Sequence, residues 1–448
     1  VSASLGARGR GRARYASLLA LLILLSCRAS TGGKLPHPEE SGEVPVDSGP
    51  PLDSLPPWKE KETGETPPPD EVPSAGIETS EQVFRDEGVL VFAIEASLDA
   101  LDALDADPDT WVPGSFRYGR RAWDVGLRLK GHSSFQGLDG KPAWKIRFDL
   151  YDEDARFYGL KRLTLDNNVW DPSSMSETLG YLFFREAGSP APRTGYATLS
   201  LNGEALGLYT IVESMDDRFM ERWWPGREGG LYEMTRTCDF TSDCSCFEAQ
   251  DRRGDYDPAS LAEVCLAVRR GDVDLLPTVF DWDHLLRFFA AERVVNHPDS
   301  YTYNLNNYFF YHDPEARVSL SPWGGDSMFV YWYPPADLSH PCVPMPAYDN
   351  LARGAYGYVA RLCEASSSCR AELAAVMLEQ ADLLESLDLA GRVIETAERI
   401  RPFVYEETRN ANWRPEHFEY AHTCFAEWLA GRPGQVRRFA EAWGAIPP

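Results

Sequence analysis

The amino-acid sequence predicts an α+β fold in which a mainly antiparallel sheet precedes a C-terminal run of helices. Three observations carry this prediction. Period-two alternation recurs in short segments such as "WDVGLRLKG", an Asn202-Gly203 pair joins two alternating strands, and the stretch from Cys369 to Trp443 is mainly helical in pattern. Hydrophobic residues make up 43% of the 448 and aromatics 12%, which suits a folded chain with a sizeable core. The formal charge of -25 argues against a nucleic-acid partner, because phosphates would be repelled.

At the N-terminus, Arg8, Arg10, Arg12 and Arg14 precede the apolar run "YASLLALLILLSC". Residues 1–26 therefore read as an export signal, too short to persist as a spanning helix. The run ends in "LLSC" and resembles a bacterial lipoprotein signal, which would make Cys27 the lipidated first residue of a protein anchored to the cell-envelope membrane. Residues 27–80 are rich in Pro, Glu, Gly, Ser and Thr and read as a solvated acidic tether. Eight further cysteines remain, an even number that in an exported chain favours disulfides. Zinc is the weaker alternative for "CDFTSDCSC", since C-x-C is not the usual knuckle spacing and no His lies close by.

The domain core is expected over 81–345, with 346–448 a mainly helical continuation of it. "GVLVFAIEA" reads as a buried strand, followed by a short helix whose acidic end lacks the Gly and Glu of a calcium loop. In "WDVGLRLKG" Val125, Leu127 and Leu129 share one face and Arg128 and Lys130 the other; "AWKIRFDLYD" likewise sets Lys145 beside Arg147. "DPSSMSETLGYLFFREAG" frames a helix between Asp171 as N-cap, Pro172 as first residue and Gly188 just past the end. Glu213 closes the second strand of the Asn202-Gly203 hairpin. Asp281 caps "WDHLLRFFAAERVVN", with Leu285, Leu286, Phe289 and Val294 inward, and two strands around Asp313-Pro314 then lead to Asp326.

Between that helix and those strands lies "NHPDSYTYNLNNYFFYHD". His297, Asp299 and Asn304 reproduce the H-x-D-x-x-x-x-N spacing of a kinase catalytic loop, where the Asp takes the proton of the attacking hydroxyl and the Asn holds a metal. A helix, this loop, a hairpin and a loop acid follow each other as in a kinase, which assigns Asp326 to the metal bridging the nucleotide phosphates. A strand Lys neutralising phosphate and a Glu orienting it are also needed; Lys145 and Glu213 are the candidates. Structural alternatives stand beside each: Asp299 as a turn cap, Asn306 and Asn307 satisfying backbone groups, Lys130, Lys141 and Lys145 as surface charges, Tyr303 and Trp323 as core.

"VGLRLKGHSSF", "KPAWKIRFD", "LTLDNNVWDPSSM", "LNGEALGLYTIVESMDDRF", "GGLYE", "NHPDSYTYNLNNYFFYHD" and "SPWGGD" together resemble the CotH kinase family, named for a spore-coat protein, in that family's order. The resemblance implies an atypical protein-kinase-like fold and ATP-dependent phosphorylation of protein Ser or Thr with Mg2+ or Mn2+. It assigns the catalytic and metal acids to the positions of Asp299 and Asp326. Two departures stand out. Gly324 occupies the first acid position of the family's P-W-D-x-D, and Ser176 stands where a basic residue is expected. A catalytically inactive binding or structural lipoprotein with a cell-surface protein partner is therefore the competing expectation.

Overall fold

In the computed structural model, the described residues are 79–445 except 86–87, 235–236, 243, 316, 330–337, 339–341, 343–348 and 411. The export signal, Cys27 and nearly all of the tether lie outside them. The fold is α+β. A short helix α1 (Ser80–Val83) leads into β1 (Val89–Glu95), α2 (Leu98–Ala106), β2 (Val112–Tyr118), β3 (Arg121–Lys130), β4 (Ala143–Arg147) and β5 (Arg162–Asp166). Helix α3 (Ser176–Glu186) precedes the hairpin β6 (Thr194–Leu201) and β7 (Glu204–Glu213). These seven strands close into a barrel in the order β1-β2-β3-β4-β5-β7-β6. The β1–β6 pair that closes it is parallel, and the other pairs are antiparallel.

Alternation builds the barrel core. Val125, Leu127 and Leu129 of β3 point inward beside Phe92, Ile94, Phe116, Trp144, Ile146, Leu163 and Leu165, all at most 1% exposed. Phe157 from the β4–β5 loop stacks on Phe148 and meets Phe92, Phe116 and Trp123 edge-on, so an aromatic knot fills the interior. The hairpin turns on Asn202 and Gly203, both at positive φ (49° and 84°), as a two-residue turn requires.

A second sheet, ordered β11-β10-β8-β9, comprises β8 (Gly229–Met234), β9 (Phe247–Arg253), β10 (Tyr308–Asp313) and β11 (Arg317–Pro322). Around it lie α4 (Asp217–Trp223), α5 (Leu261–Val268), α6 (Leu276–Val279), α7 (Trp282–Val294) and the single turn α8 (Tyr301–Asn304). The chain then runs through α9 (Tyr358–Ala365), α10 (Ser367–Ser386), α11 (Leu389–Glu406) and α12 (Pro415–Gly444). Helices α5–α12 share one core with α3 and the second sheet, separate from the barrel's own core, while α4 packs through Phe219 and Met220 in a smaller cluster with Leu231, Phe309 and Tyr311. All eight described cysteines pair, as Cys238–Cys246, Cys244–Cys265, Cys342–Cys424 and Cys363–Cys369, which leaves none of them for zinc.

Two local expectations need correction. β1 is half-buried rather than buried: as a barrel strand it keeps one face outward, and Val91 is 41% exposed. Helix α3 begins at Ser176, five residues after Asp171. Asp171 instead organises the approach, accepting bonds from the Ser173 amide at 2.8 Å, the Ser173 hydroxyl at 2.6 Å and the Ser176 amide at 2.7 Å.

Candidate active site

Asp299 sits on the turn between α7 and α8. Leu305 ends α8 in the left-handed conformation, and Asn307 repeats it, both at φ 50°, so the chain doubles back on Asp299. Three amides then converge on its carboxylate. Asn304 Nδ2 donates to Oδ1, while Asn306 and Asn307 donate to Oδ2 at 2.9 and 2.8 Å. Burial pushes this carboxyl up against the pull of the three donors. Two oxygens offer four lone-pair sites, so one acceptor position remains after three bonds.

Buried His297 bonds through Nε2 to the Trp323 carbonyl at 3.1 Å. Burial drops its pKa to about 4, so the ring is neutral and Nε2 carries the proton donated to that carbonyl. His297 thus ties the Asp299 turn to the segment leading to Asp326. The Trp323 amide adds a bond to the Asn307 carbonyl at 3.0 Å. From behind, Tyr301 donates to Asp239 at 3.1 Å and Tyr308 to the Cys238 carbonyl at 2.8 Å, so the disulfide-bridged insertion buttresses the turn.

After Trp323 the backbone passes through Gly324 at φ 56°, where a Cβ would lie 2.6 Å from Cγ and Oδ1 of Asn307. The next amide, of Gly325, donates to Glu177 Oε1 and to the Tyr181 hydroxyl, each at 3.2 Å. Asp326 follows on a short 3-10 turn, half-buried and without a hydrogen bond among the described residues. Burial and the carboxylates of Asp166, Glu177 and Asp299 drive its pKa well above the ordinary carboxylate range, with Lys130 opposing them. Glu177 is pushed to about 8, first by burial and then by Asp166, and its Oε2 is buried without a partner.

Lys130, the last residue of β3, donates to Asp166 at the end of β5 at 2.7 Å. Burial opposes both charges, yet their attraction and those of Glu177 and Asp326 hold Lys130 above its ordinary value, while Lys130 holds Asp166 below. Residues of the same pleat, Arg128 and Lys145, pair across β3 and β4. Lys145 is lowered by burial, with the charge of Glu233 on β8 partly restoring it and Arg128, Lys130 and Arg162 lowering it further. Arg128, Lys130, Lys145 and Arg162 thus give the outer face of β3–β5 a concentrated positive charge. Among the described residues no three His, Cys, Asp or Glu side chains are gathered closely enough to hold a metal as they stand.

The structure brings Asp299, Asn304 and Asp326 into one region and sets Lys145 on the adjoining cationic face. Lys145 and Glu213 are not paired. Glu213, 1% exposed, lies between Arg193, whose Nη2 donates at 2.6 Å, and Arg222. Those two guanidiniums hold its carboxyl below the ordinary range although burial pushes the other way. Neither Lys130 nor Lys141 is a surface charge. Lys141 is 1% exposed and pairs with Glu407 at 2.5 Å. Sequence reasoning missed Asp166 and Glu177; the signal was present, since both lie in or beside "LTLDNNVWDPSSM", a segment long in polar residues yet fully buried at Asn167. Asn306 and Asn307, read as backbone partners, both hold the Asp299 carboxylate, and Asn307 bonds the Asp299 backbone carbonyl as well.

The sequence pattern described as CotH kinase protein matches residues 127–432, which takes in every group just described. The chain belongs to the CotH kinase protein family. Inner spore coat protein H of Bacillus subtilis (strain 168) is 27% identical over 121 residues, 27% of this chain and 31% of that protein. An inner spore coat protein H-like protein of the same strain is 38% identical over 56 residues, 12% of this chain and 18% of that relative. The aligned portions therefore span less than a third of either relative's length. Among solved structures, the crystal structure of a Helicobacter pylori proinflammatory kinase, CtkA, aligns over 75% of this chain and 93% of its own, with 11% identity and a TM-score of 0.31.

Proposed function

We propose that this CotH-family chain has an atypical kinase-like fold and transfers the γ-phosphoryl group of ATP to a Ser or Thr hydroxyl of a protein. One observation carries the reading: the Asp299 and Asp326 turns are tied together through Asn307 and Trp323 beside the cationic face that ends in Lys130. The acceptor hydroxyl gives its proton to the remaining acceptor position of Asp299 as its oxygen bonds the γ-phosphorus and ADP leaves. Lys130 and Lys145, on that cationic face, would neutralise phosphate charge.

The donor set fits a hard divalent cation such as Mg2+ or Mn2+. Asp326 and the partnerless Oε2 of Glu177 are oxygen ligands without competing bonds, and Asn304 keeps its amide oxygen free while donating through Nδ2. Magnesium needs only one or two carboxylates with phosphates and water. Such an ion would supply charge neutralisation to the phosphates. The test is metal-dependent ATP binding and phosphate transfer by the full chain, beside Asp299→Ala and Asp326→Ala. Wild-type protein that neither binds nucleotide nor differs from the variants would overturn the proposal.

Gly324 favours a second reading, a catalytically inactive scaffold that binds a cell-surface protein, because Asn307 fills the space where the family's first acid would stand. In both readings the protein is exported and held on the membrane by a lipid at Cys27, an inference from the sequence of residues 1–27 alone. Among the described residues no helix is long and apolar enough to cross a membrane. Membrane release on Cys27→Ser supports the anchor; unchanged lipidation refutes it.

A further inference from the structure

β3 carries a second feature at its other end. Arg121, nine residues before Lys130, opens the strand, so the two lie about 30 Å apart along it. There, Arg121, Ala122, Trp123, Arg156, Tyr158 and Gly159 line an open pocket of about 480 Å³. The Arg121 guanidinium lies 5.8 Å over the Tyr158 ring, and the Trp123 and Tyr158 rings are 6.1 Å apart. Arg156 is fixed from behind: its Nη1 donates to the carbonyls of Glu153 and Ala155 at 2.6 and 2.7 Å, while its Nε is buried without a partner.

Two properties suit the pocket to an anion. In a chain with 69 acidic and 44 basic residues, neither guanidinium meets a carboxylate among the described residues. Arg117 and Arg147 nearby are paired, with Glu95 and Asp149. The Tyr158 backbone is also held at φ 50°, followed by Gly159 at φ 90°, inside a tight turn closed by paired Phe157 and Leu160 bonds of 3.0 Å. Such turns favour Asn-Gly, and the left-handed backbone strains a tyrosine there. Phe157, stacked on Phe148 in the barrel's aromatic knot, anchors the turn whose Tyr158 lines the pocket.

We propose that this pocket binds a small anion carried on a single ring, a sugar acid or sugar phosphate, with the guanidiniums on the oxyanion and the Trp123 and Tyr158 rings against the sugar. Guanidiniums recognise carboxylate and phosphate by paired donors, and the volume matches a small-molecule site. The site is independent of the Lys130 region. Its test is calorimetric titration of the full chain with glucuronate, glucose 6-phosphate and uncharged glucose. The expected result is saturable binding of at least one anion, weakened tenfold or more by Arg121→Gln and by Arg156→Gln. Preference between the two anions identifies the carboxylate or the phosphate as the recognised group. Arg121 is exposed, so its variant keeps the test valid if Arg156→Gln disturbs its loop. Absence of saturable binding, equal binding of glucose, or full affinity in Arg121→Gln would overturn the proposal.

Discussion

Asn307 donates through Nδ2 both to the carboxylate of Asp299, at 2.8 Å, and to its backbone carbonyl, at 3.0 Å. The same residue's carbonyl receives the Trp323 amide, so one asparagine sets the position of the proposed base and of the segment leading to Asp326. Asn307→Ala removes a donor that favours the ionised carboxylate and so raises Asp299 further. A base works only when deprotonated. The acid limb of the pH–rate profile should therefore move up by about one to two units, since a bond to a charged group is worth roughly 1.5–3 kcal/mol. An unmoved limb, with activity otherwise measurable, contradicts the positioning role.

Restoring the family's acid is expected to harm rather than help. Gly324→Asp puts a side chain at φ 56° and a Cβ against Asn307. Aspartate tolerates this backbone conformation better than most residues, so the harm comes from the Cβ, which displaces Asn307 and loosens its grip on Asp299. A lower melting temperature with no gain in phosphate transfer is the predicted outcome. A gain in transfer would mean that the loop readily adopts another path.

Glu213 and Lys130 should separate stability from ligand binding. Glu213→Gln leaves two arginines facing a neutral group in a buried place, which should cost roughly 3 kcal/mol in urea unfolding. Binding of a nucleotide analogue should be unaffected where the protein is still folded. Lys130→Met should weaken that binding strongly. Equal binding losses in both variants would return Glu213 to the site.

The strands and helices were legible because each repeats a pattern set by its own neighbours: alternation in β3, the Asn202-Gly203 turn, the Asp281 cap of α7. Barrel closure was not legible, since β1 meets β6 across more than a hundred residues and no local pattern announces the partner. The same limit governs the site. Asp299 and Asn304 stood out by their spacing within one loop, whereas Lys130, Asp166 and Glu177 meet only after three elements are folded together. Glu213 gave no sign of its partners for the complementary reason. A glutamate at a strand end looks the same whether it faces a lysine or, as here, two arginines from distant positions.

Stability should fall as pH rises from 6.5 to 8. Glu177 and Glu292 are both pushed to about 8, chiefly by burial, so the folded state holds their protons where the unfolded chain releases them. The stabilisation they bring is present at lower pH and lost as pH passes their folded values. Buried His297 and His312, lowered to about 4, act oppositely, but only below their ordinary value of 6.5. Calorimetric melting at pH 6.5 and 8 and fixed ionic strength should show the fall, and Glu177→Gln with Glu292→Gln should flatten it. A wild-type melting temperature constant across that range would refute the assignment.

The disulfides should rank by the length of chain they close. Cys342–Cys424 bridges a sequence separation of 82 and Cys363–Cys369 one of 6. On the chain-entropy account these stabilise by about 4.5 and about 2.2 kcal/mol, because the longer loop restricts the unfolded chain more. The longer bridge also ties the segment before α9 to α12, whose Arg432 is fully buried and bonds to the backbone of α7 through the Arg293 and Val294 carbonyls at 2.6 and 3.0 Å. Replacing Cys342 and Cys424 by alanine should therefore lower the urea midpoint more than replacing Cys363 and Cys369. The reverse order would show that the short bridge acts through native contacts around α9 and α10 instead of through the unfolded state.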